Sequence, residues 1–278
     1  MHRNHAPFLL AIPCALLTFT AVRAQDKPYK PDHRFAYSDV IVEDDHVKIE
    51  MKDVLAEIGF CKFRFKVTNK TGDFIFVDPG KFKVSMDGKN YGFSEKPFML
   101  KPHDDAARTL NLQGGSDYHK ESWSIDFADG FEVASAKGNT ITPGEFTLPP
   151  AINSVTEGPF TIELRDREQS TKRTVGKFNV KYAGSGVGIV DPARISVKIP
   201  AGQVYANANS KAKPTLLSTG EDDNFDLVAE IPGRIADMQF TTLTVVWNDA
   251  FIESTKQPFT PDGASFSVDQ VRTAEINK

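Results

Sequence analysis

Alternation of apolar and polar side chains with a period of two is the feature that most restricts the fold of this chain. The run from Gly59 to Thr68 shows it most clearly, with Cys61, Phe63, Phe65 and Val67 on one parity and Lys62, Arg64 and Lys66 on the other. This period is typical of a strand with one face in a core and the other in water. Five further runs repeat it, at residues 82–86, 122–127, 160–165, 177–182 and 194–199. The pattern predicts an all-β fold.

Turn signals and one glycine-rich segment divide the chain. Asp-Gly and Pro-Gly pairs separate the runs, at Asp78-Pro79-Gly80, Asp87-Gly88, Asp129-Gly130, Pro143-Gly144 and Asp262-Gly263. Short strands joined by tight turns favour antiparallel sandwiches. The small residues of segment 183–188 indicate a linker, and a length of 278 residues favours two domains over one. We therefore predict two antiparallel β-sandwiches in tandem, covering residues 26–184 and 189–278.

The two halves also share a weak order of residues. Tyr91, Lys96-Pro97, Asp104-Asp105 and Trp123 recur in sequence as Tyr205, Lys213-Pro214, Asp222-Asp223 and Trp247. Either a distant duplication or the residue preferences common to all strands and turns explains this repeated order.

The first 24 residues read as a secretory signal peptide. Arg3 precedes an uncharged apolar run at residues 6–22, and Ala24 supplies a small residue for cleavage. A membrane anchor is disfavoured because this run is interrupted by Pro7 and Pro13 and is shorter than the ~20 residues that span a bilayer. No second long apolar run follows, so we predict a secreted or periplasmic protein that is not transmembrane, cleaved near Ala24.

Charge and cysteine content exclude several classes of function. The chain carries 33 Lys and Arg against 37 Asp and Glu, and loss of Arg3 and Arg23 with the signal peptide leaves a net charge of −6. This balance disfavours nucleic acid as a partner. Cys61 would be the one remaining cysteine, which rules out an internal disulfide and thiolate zinc clusters. Its inward parity predicts a buried, inert thiol, with a reactive or dimer-forming thiol as the alternative.

Part of the first half resembles a known class of domain. The segments 47–51, 60–71 and 81–91 present an alternating strand, an Asn69-Lys70-Thr71 turn, another strand, Asp87-Gly88 and then Tyr91. Over residues 35–135 this order resembles bacterial extracytoplasmic immunoglobulin-like β-sandwich domains. The resemblance implies an accessory, binding or envelope role rather than catalysis, and it supplies no site residue.

A search for catalytic motifs finds no nucleophile elbow, zinc-protease motif, P-loop or dinucleotide-binding motif. Histidines beside acids provide the remaining candidates for a metal or catalytic site. His103, Asp104 and His119 form the best such group, because they flank the same predicted strand pair. No cofactor is predicted.

Cations provide the most informative predicted surface. If the segments 60–68, 73–78 and 81–87 form a meander, five cations gather on one sheet face: Lys62, Arg64, Lys66, Lys81 and Lys83. The middle segment, residues 74–77, is apolar on both parities and needs cover on both faces. That cover would come from a loop of the same chain, the second domain, a subunit partner, or an anionic amphipathic ligand.

These observations favour a non-enzymatic binding or structural protein of the cell envelope, which uses the basic face for a protein or an anionic envelope ligand. One alternative is a metal-dependent hydrolase or metal carrier that uses His103, Asp104 and His119. Another is a carbohydrate-binding module that stacks sugars on Trp123 or Trp247, which requires exposed rings. The oligomeric state is not predicted.

Overall fold

A computed structural model describes residues 32–278, so the predicted signal peptide and its cleavage near Ala24 lie outside the described residues. The described part of the chain forms 25 strands, two short 3₁₀-helices and one seven-residue α-helix. Every strand pairing is antiparallel. The predicted all-β class is confirmed. No described helix has the length and apolar character needed to cross a bilayer.

The strands that precede the predicted linker fall into two groups. The first group is β1 (Phe35–Ala36), β2 (Val40–Glu43), β3 (Val47–Ala56), β4 (Cys61–Asn69), β5 (Phe74–Val77), β6 (Lys83–Met86), β7 (Lys89–Phe93), β8 (Phe98–Leu100), β9 (Asp105–Gln113), β10 (Ser122–Asp126) and β11 (Phe131–Ala134). The second group is β12 (Asn139–Ile141), β13 (Phe146–Leu148), β14 (Ser154–Glu157), β15 (Phe160–Gln169) and β16 (Arg173–Tyr182). The two groups contribute to different hydrophobic cores.

The rest of the chain adds nine strands and the α-helix. They are β17 (Val187–Val190), β18 (Ser196–Lys198), β19 (Val204–Ala206), β20 (Thr215–Leu217), β21 (Asp222–Glu230), β22 (Leu243–Val246), β23 (Phe251–Ser254), β24 (Lys256–Phe259), β25 (Ala264–Ser267) and α1 (Gln270–Ile276). The 3₁₀-helices are Pro79–Lys81, between β5 and β6, and Pro192–Arg194, between β17 and β18.

Two sandwiches with the same strand order are built from these elements. The second has three four-stranded sheets, ordered β14-β15-β16-β21, β13-β22-β18-β19 and β12-β23-β17-β20. The first has the four-stranded sheet β24-β11-β5-β8 and a nine-stranded sheet in which β7 and β9 pair over only two residues each. Divided at that short pairing, the large sheet contains β2-β3-β4-β9 and β25-β10-β6-β7. Each sheet of one sandwich thus has a counterpart in the other.

The correspondence extends to individual hydrogen bonds. Asp78 and Asp191, which lies 113 positions later, each cap a 3₁₀-helix with nearly the same backbone angles, φ −118° and ψ 91° against φ −115° and ψ 89°. The same spacing relates Asn69 to Tyr182, whose N–H groups donate to the carbonyl oxygens directly before β9 and β21. Such agreement supports an internal duplication.

The strand register shows which residues of the repeated order occupy equivalent positions. Tyr91 and Tyr205 lie opposite Val84 and Val197, at matching places in β7 and β19. The two tryptophans do not match. The Trp247 carbonyl accepts from the N–H of Ala250 at 2.9 Å, and in the first sandwich the same bond joins Phe127 to Gly130. Trp247 therefore corresponds to Phe127 and not to Trp123.

The second sandwich is inserted into the first. Residues 32–278 pack as one compact unit with a hydrophobic core for each sandwich, one drawn from residues 35–131, 264 and 266, and the other from residues 146–251. After β23 the chain leaves the second sandwich. Strand β24 then pairs with β11, and β25 pairs with β10. The first sandwich is therefore completed by the last strands of the chain.

Three glycines of the predicted linker pack against the second sandwich rather than lying between the cores, and Gly188 is buried there. A Cβ atom at Gly188 would come within 2.7 Å of the Tyr182 ring and 2.9 Å of Phe160. A Cβ atom at Gly184 would clash with the Tyr182 hydroxyl, and one at Gly186 would clash with the Ser254 carbonyl oxygen. Here glycine permits close approach of the backbone to an aromatic ring. The boundary predicted at 184–189 thus falls within the second cluster, and the cores divide near residues 135–145.

The predicted meander is wrong. Strand β5 pairs with β8 and β11, and β4 is separated from β6 by β9 and β7. A 3₁₀-helix carries the chain from β5 to β6 in a different sheet, so neighbours in sequence are not neighbours in the sheet. Of the covers considered for the doubly apolar strand, the second sandwich supplies one face, because Phe74 packs on Ile189 and Ile252. Ile75 and Val77 enter the first core.

The Cys61 side chain is fully buried in the first core. Burial raises the pKa of its thiol to about 12. A thiol with this pKa is almost wholly protonated at neutral pH, which agrees with the inert thiol expected from its parity.

Candidate binding surface

The outward face of β4 carries three of the five predicted cations. Lys62, Arg64 and Lys66 alternate with buried Phe63 and Phe65, as their parity predicts. Antiparallel register places them opposite Leu55, Lys52 and Glu50 of β3 and opposite Asn111, Thr109 and Ala107 of β9. Side chains directly opposite each other point to the same face of a sheet. The cations therefore lie across the middle of an open sheet face.

Ion pairs neutralise part of this face. Lys66 lies 3.2 Å from Asp105, and Lys52 lies 2.7 Å from Glu50. The Lys52 ammonium donates a hydrogen bond to the Glu50 carboxylate. This bond lowers the pKa of the Glu50 carboxyl and raises the pKa of the Lys52 ammonium. Among residues 32–278, Lys62 and Arg64 form no ion pair. Arg64 lies directly opposite Lys52, a juxtaposition of like charges that costs stability in a sheet.

A shallow depression of about 430 Å³ lies between these cations. We call it the basic depression, and it is lined by Asp53, Leu55, Lys62, Phe63, Arg64, Ala107, Arg108 and Thr109. Leu55 and Ala107 give it an apolar floor, Lys62 and Arg64 supply two positive charges on the outward face, and Asp53 adds one negative charge at the edge. Such a combination suits a ligand that has an anionic group beside an apolar part.

Aromatic contacts hold two of the charged groups in place. The Arg108 guanidinium lies 5.0 Å from the centre of the Phe98 ring, and the Lys62 ammonium lies 5.0 Å from the centre of the Phe60 ring. Cation–π contacts restrict a side chain without neutralising its charge. Arg108 does not share the outward face of Lys62 and Arg64. It lies opposite buried Phe65, so its parity points inward, yet it is exposed because β7 pairs only with the far end of β9.

The other two predicted cations lie elsewhere. Lys83 is on β6, opposite Asp126. Lys81 lines a cleft of about 600 Å³ between the two sandwiches, with Phe76, Phe98, Met99 and Leu216 as apolar walls. Lys256 places its ammonium 4.0 Å from the centre of the Phe76 ring and 3.6 Å from Glu132. The five-cation face around residues 74–77 is therefore not formed.

The proposed metal ligands are not brought together. His103 precedes β9 and His119 follows it, so the nine-residue strand places them roughly 27 Å apart along its axis. His103 donates its N–H to the Thr71 carbonyl, and the His119 ring packs on Phe35. Within residues 32–278 no group of three His, Cys, Asp or Glu side chains could hold a metal ion. The site expected at His103, Asp104 and His119 is wrong because the predicted strand pair is one long strand.

Both tryptophan rings are buried, with 4% of the surface of each exposed. Trp123 stacks on Phe266 with 3.9 Å between ring centres, and Trp247 donates its indole N–H to the Gly144 carbonyl at 3.0 Å. A sugar-stacking residue needs a ring face open to water. Neither tryptophan provides one, so neither supports the carbohydrate-binding alternative.

Comparisons with known proteins find little. No protein-family model matches the chain, and no curated protein matches it. Among solved structures, the crystal structure of red sea bream transglutaminase is similar over 81% of this chain, with 6% sequence identity and a TM-score of 0.18. The chain spans about a third of that protein, 31% of its length.

Proposed function

We propose that this chain is an exported, non-enzymatic binding protein of the cell envelope, and that its first sandwich, of immunoglobulin-like type, binds an anionic partner at the basic depression. The observation that carries the proposal is the pair of outward cations Lys62 and Arg64, which have no ion pair among the described residues and flank an apolar floor. An anionic ligand would supply the missing counter-charge.

The charge balance of the whole protein supports this proposal. The chain as a whole has a net charge of −4, so an anionic partner is repelled by most of the surface and attracted locally. The unfavourable position of Arg64 opposite Lys52 favours the same interpretation, because stability alone would select an acid at one of these positions. A bound anion would relieve the repulsion between them.

Reversal of two charges in the depression tests the proposal. We expect the Lys62→Glu/Arg64→Glu variant to elute from a heparin column at much lower salt than the wild type, since heparin is a dense polyanion and screening weakens such contacts. The matched control is Lys83→Glu/Lys89→Glu, which makes the same change in net charge on exposed residues of the β6–β7 hairpin. All four side chains are exposed, so the fold of both variants should survive.

Two results would contradict the proposal. One is elution of both double variants at the same salt concentration, which would show a response to net charge alone. The other is a wild-type protein that heparin does not retain at low salt.

A further inference from the structure

A loop of the second sandwich exposes apolar side chains to an unusual degree. We call residues 232–241, between β21 and β22, the apical loop. Phe240 is 86% exposed, the largest exposure of any large apolar side chain in the described chain, and Ile235 is 44% exposed. Single apolar residues at a surface need no explanation, but two on one short loop at the end of a domain indicate a contact surface.

The apical loop is held firmly, so the exposure of Phe240 is part of the fold. The Asp237 carbonyl accepts from the N–H of Phe240 at 3.1 Å, and the Asp237 carboxylate accepts from the N–H of Gln239 at 3.1 Å. Between them Met238 is fully buried. Its carbonyl accepts from the Gln169 side chain at 2.9 Å, and its N–H donates to the Thr171 carbonyl at 3.2 Å. A preorganised loop loses little entropy when it binds.

Cations lie at the start of the apical loop and on the adjoining β15–β16 turn. Lys172, Arg173 and Arg234 line one depression beside the apical loop. Arg173 lies 3.6 Å from Glu230, but Lys172 and Arg234 form no ion pair among residues 32–278. The carboxylate of Asp237 accepts from the N–H of Gln239 in its own loop and keeps its negative charge. Lys172 and Arg234 outnumber the unpaired acid Asp237, so the apical loop and its neighbouring turn combine a small excess of positive charge with two exposed apolar side chains.

The matching loop of the first sandwich lacks this surface. Tyr118 takes the place of Met238 there, because its N–H donates to the Ile58 carbonyl as that of Met238 donates to the Thr171 carbonyl. None of the exposed large apolar side chains of the described chain lies in residues 114–121. The apolar tip is thus a property of the second sandwich and not of the shared topology.

We propose that the apical loop docks the second sandwich on an anionic phospholipid surface. Phe240 and Ile235 enter the boundary between headgroups and acyl chains, while Lys172 and Arg234 meet headgroup phosphates. Exposed apolar residues flanked by cations are the combination that binds anionic bilayers peripherally, because burial of apolar area and electrostatic attraction add. An acidic protein partner would satisfy the charges but would need its own apolar pocket for Phe240.

Co-sedimentation with vesicles tests this proposal. We expect the protein to bind vesicles that contain phosphatidylglycerol and phosphatidylcholine, to ignore vesicles of phosphatidylcholine alone, and to be released by salt. Phe240→Ser should weaken partition about tenfold, the factor for loss of one buried apolar side chain. Lys172→Glu/Arg234→Glu should weaken it at least as much at low salt.

Two controls separate this proposal from the proposed function. Val271→Ser removes a 71% exposed apolar side chain from α1 in the first sandwich and should leave vesicle binding unchanged. Lys83→Glu/Lys89→Glu makes the same change in net charge as Lys172→Glu/Arg234→Glu, on exposed residues of the β6–β7 hairpin, and should also leave vesicle binding unchanged. Equal vesicle binding by Phe240→Ser and the wild type would overturn the proposal, as would no binding to anionic vesicles or equal binding to neutral ones. Loss of vesicle binding in Lys62→Glu/Arg64→Glu alone would assign lipid binding to the basic depression instead.

Discussion

The two sandwiches share a topology, yet matching positions on one sheet face differ in their charge partners. The cation of the second sandwich is paired with acids, and that of the first lies beside another cation. Strand β4 of the first and β16 of the second occupy the same place, and the spacing of 113 residues makes Lys177 the counterpart of Arg64. Lys177 lies 3.0 Å from Asp166 and 2.7 Å from Glu168, and these hydrogen bonds raise its pKa. Arg64 instead lies opposite Lys52. The shared strand order therefore says nothing about binding, which depends on side chains that differ between the two faces.

The cores differ by a compensating exchange of volume. At one end of the first core Val47 lies opposite Asn69, and Ile75 of β5 is buried in the same core. The matching positions of the second core hold Phe160, Tyr182 and Gly188, so two large rings replace small side chains and glycine replaces isoleucine. Interiors are close-packed, so a larger ring on one strand requires a smaller residue opposite it. The large side chain therefore lies on β5 in the first sandwich, and on β15 and β16 in the second.

The largest expected effect tests whether the two cores are equivalent. Phe65 and Phe178 occupy matching buried positions, so Phe65→Ala and Phe178→Ala should each lower the free energy of unfolding by about 3–5 kcal/mol, through lost burial and a cavity. Urea unfolding followed by tryptophan fluorescence measures this, because Trp123 lies in one core and Trp247 in the other. A loss below about 1 kcal/mol at either position would show that the matched register is wrong.

The exchange of volume predicts a smaller effect. Gly188→Ile installs the residue that stands at the matching place in the first sandwich, and should cost about 3 kcal/mol because its Cβ would overlap the rings of Tyr182 and Phe160. Gly59→Ala is the control, since a Cβ atom there meets nothing within 4 Å. Adding Tyr182→Asn to Gly188→Ile should recover part of the loss. Strictly additive free energies in this double-mutant cycle would contradict the exchange.

Alkaline pH should destabilise the second sandwich at Tyr182, whereas the matching residue of the first sandwich, Asn69, does not titrate. Burial and the hydrogen bond to Glu253 raise the pKa of Tyr182 to about 12, above the ordinary value of about 10 in the unfolded chain. The neutral phenol is favoured in the folded state, so its contribution is complete below pH 10 and is lost as pH rises toward 12. We expect Tyr182→Phe to be about 1 kcal/mol less stable than the wild type at pH 8.

The melting temperature of each protein at pH 8 and pH 11 measures the difference. The wild type should lose more stability between these values than Tyr182→Phe, since only the wild type has this phenol to ionise on unfolding. An equal loss in both proteins would assign the alkaline sensitivity to other groups, such as the buried Tyr37, whose pKa is also raised.

Sequence periodicity predicted the faces of strands well and their neighbours poorly. The burial of β4 follows its alternation residue by residue, because parity is a local property of the backbone. Strand pairing is not local, so nothing in the segment 73–87 revealed that the 3₁₀-helix at Pro79 moves the chain to another sheet. The best signal of duplication was present but missed: Val77-Asp78-Pro79 recurs as Val190-Asp191-Pro192.

The candidate site was predicted in part for the same reason. Lys62, Arg64 and Lys66 share one strand, so their common face followed from parity alone. Their relation to Lys81 and Lys83 required knowledge of the sheet order. The exposure of Arg108 at an inward position could not be predicted, because it depends on the short pairing of β7 with β9. The apical loop gave no periodic signal at all.

Insertion of the second sandwich has a consequence for the order of assembly. The strands that close the first sandwich, β24 and β25, come after the whole of the second, so the inserted sandwich must be synthesised before the core of the first can close. A nonsense codon after residue 255 would spare every strand of the inserted unit and leave the other with two open edges. Loss of β24 and β25 would therefore destabilise the core that residues 35–131 build.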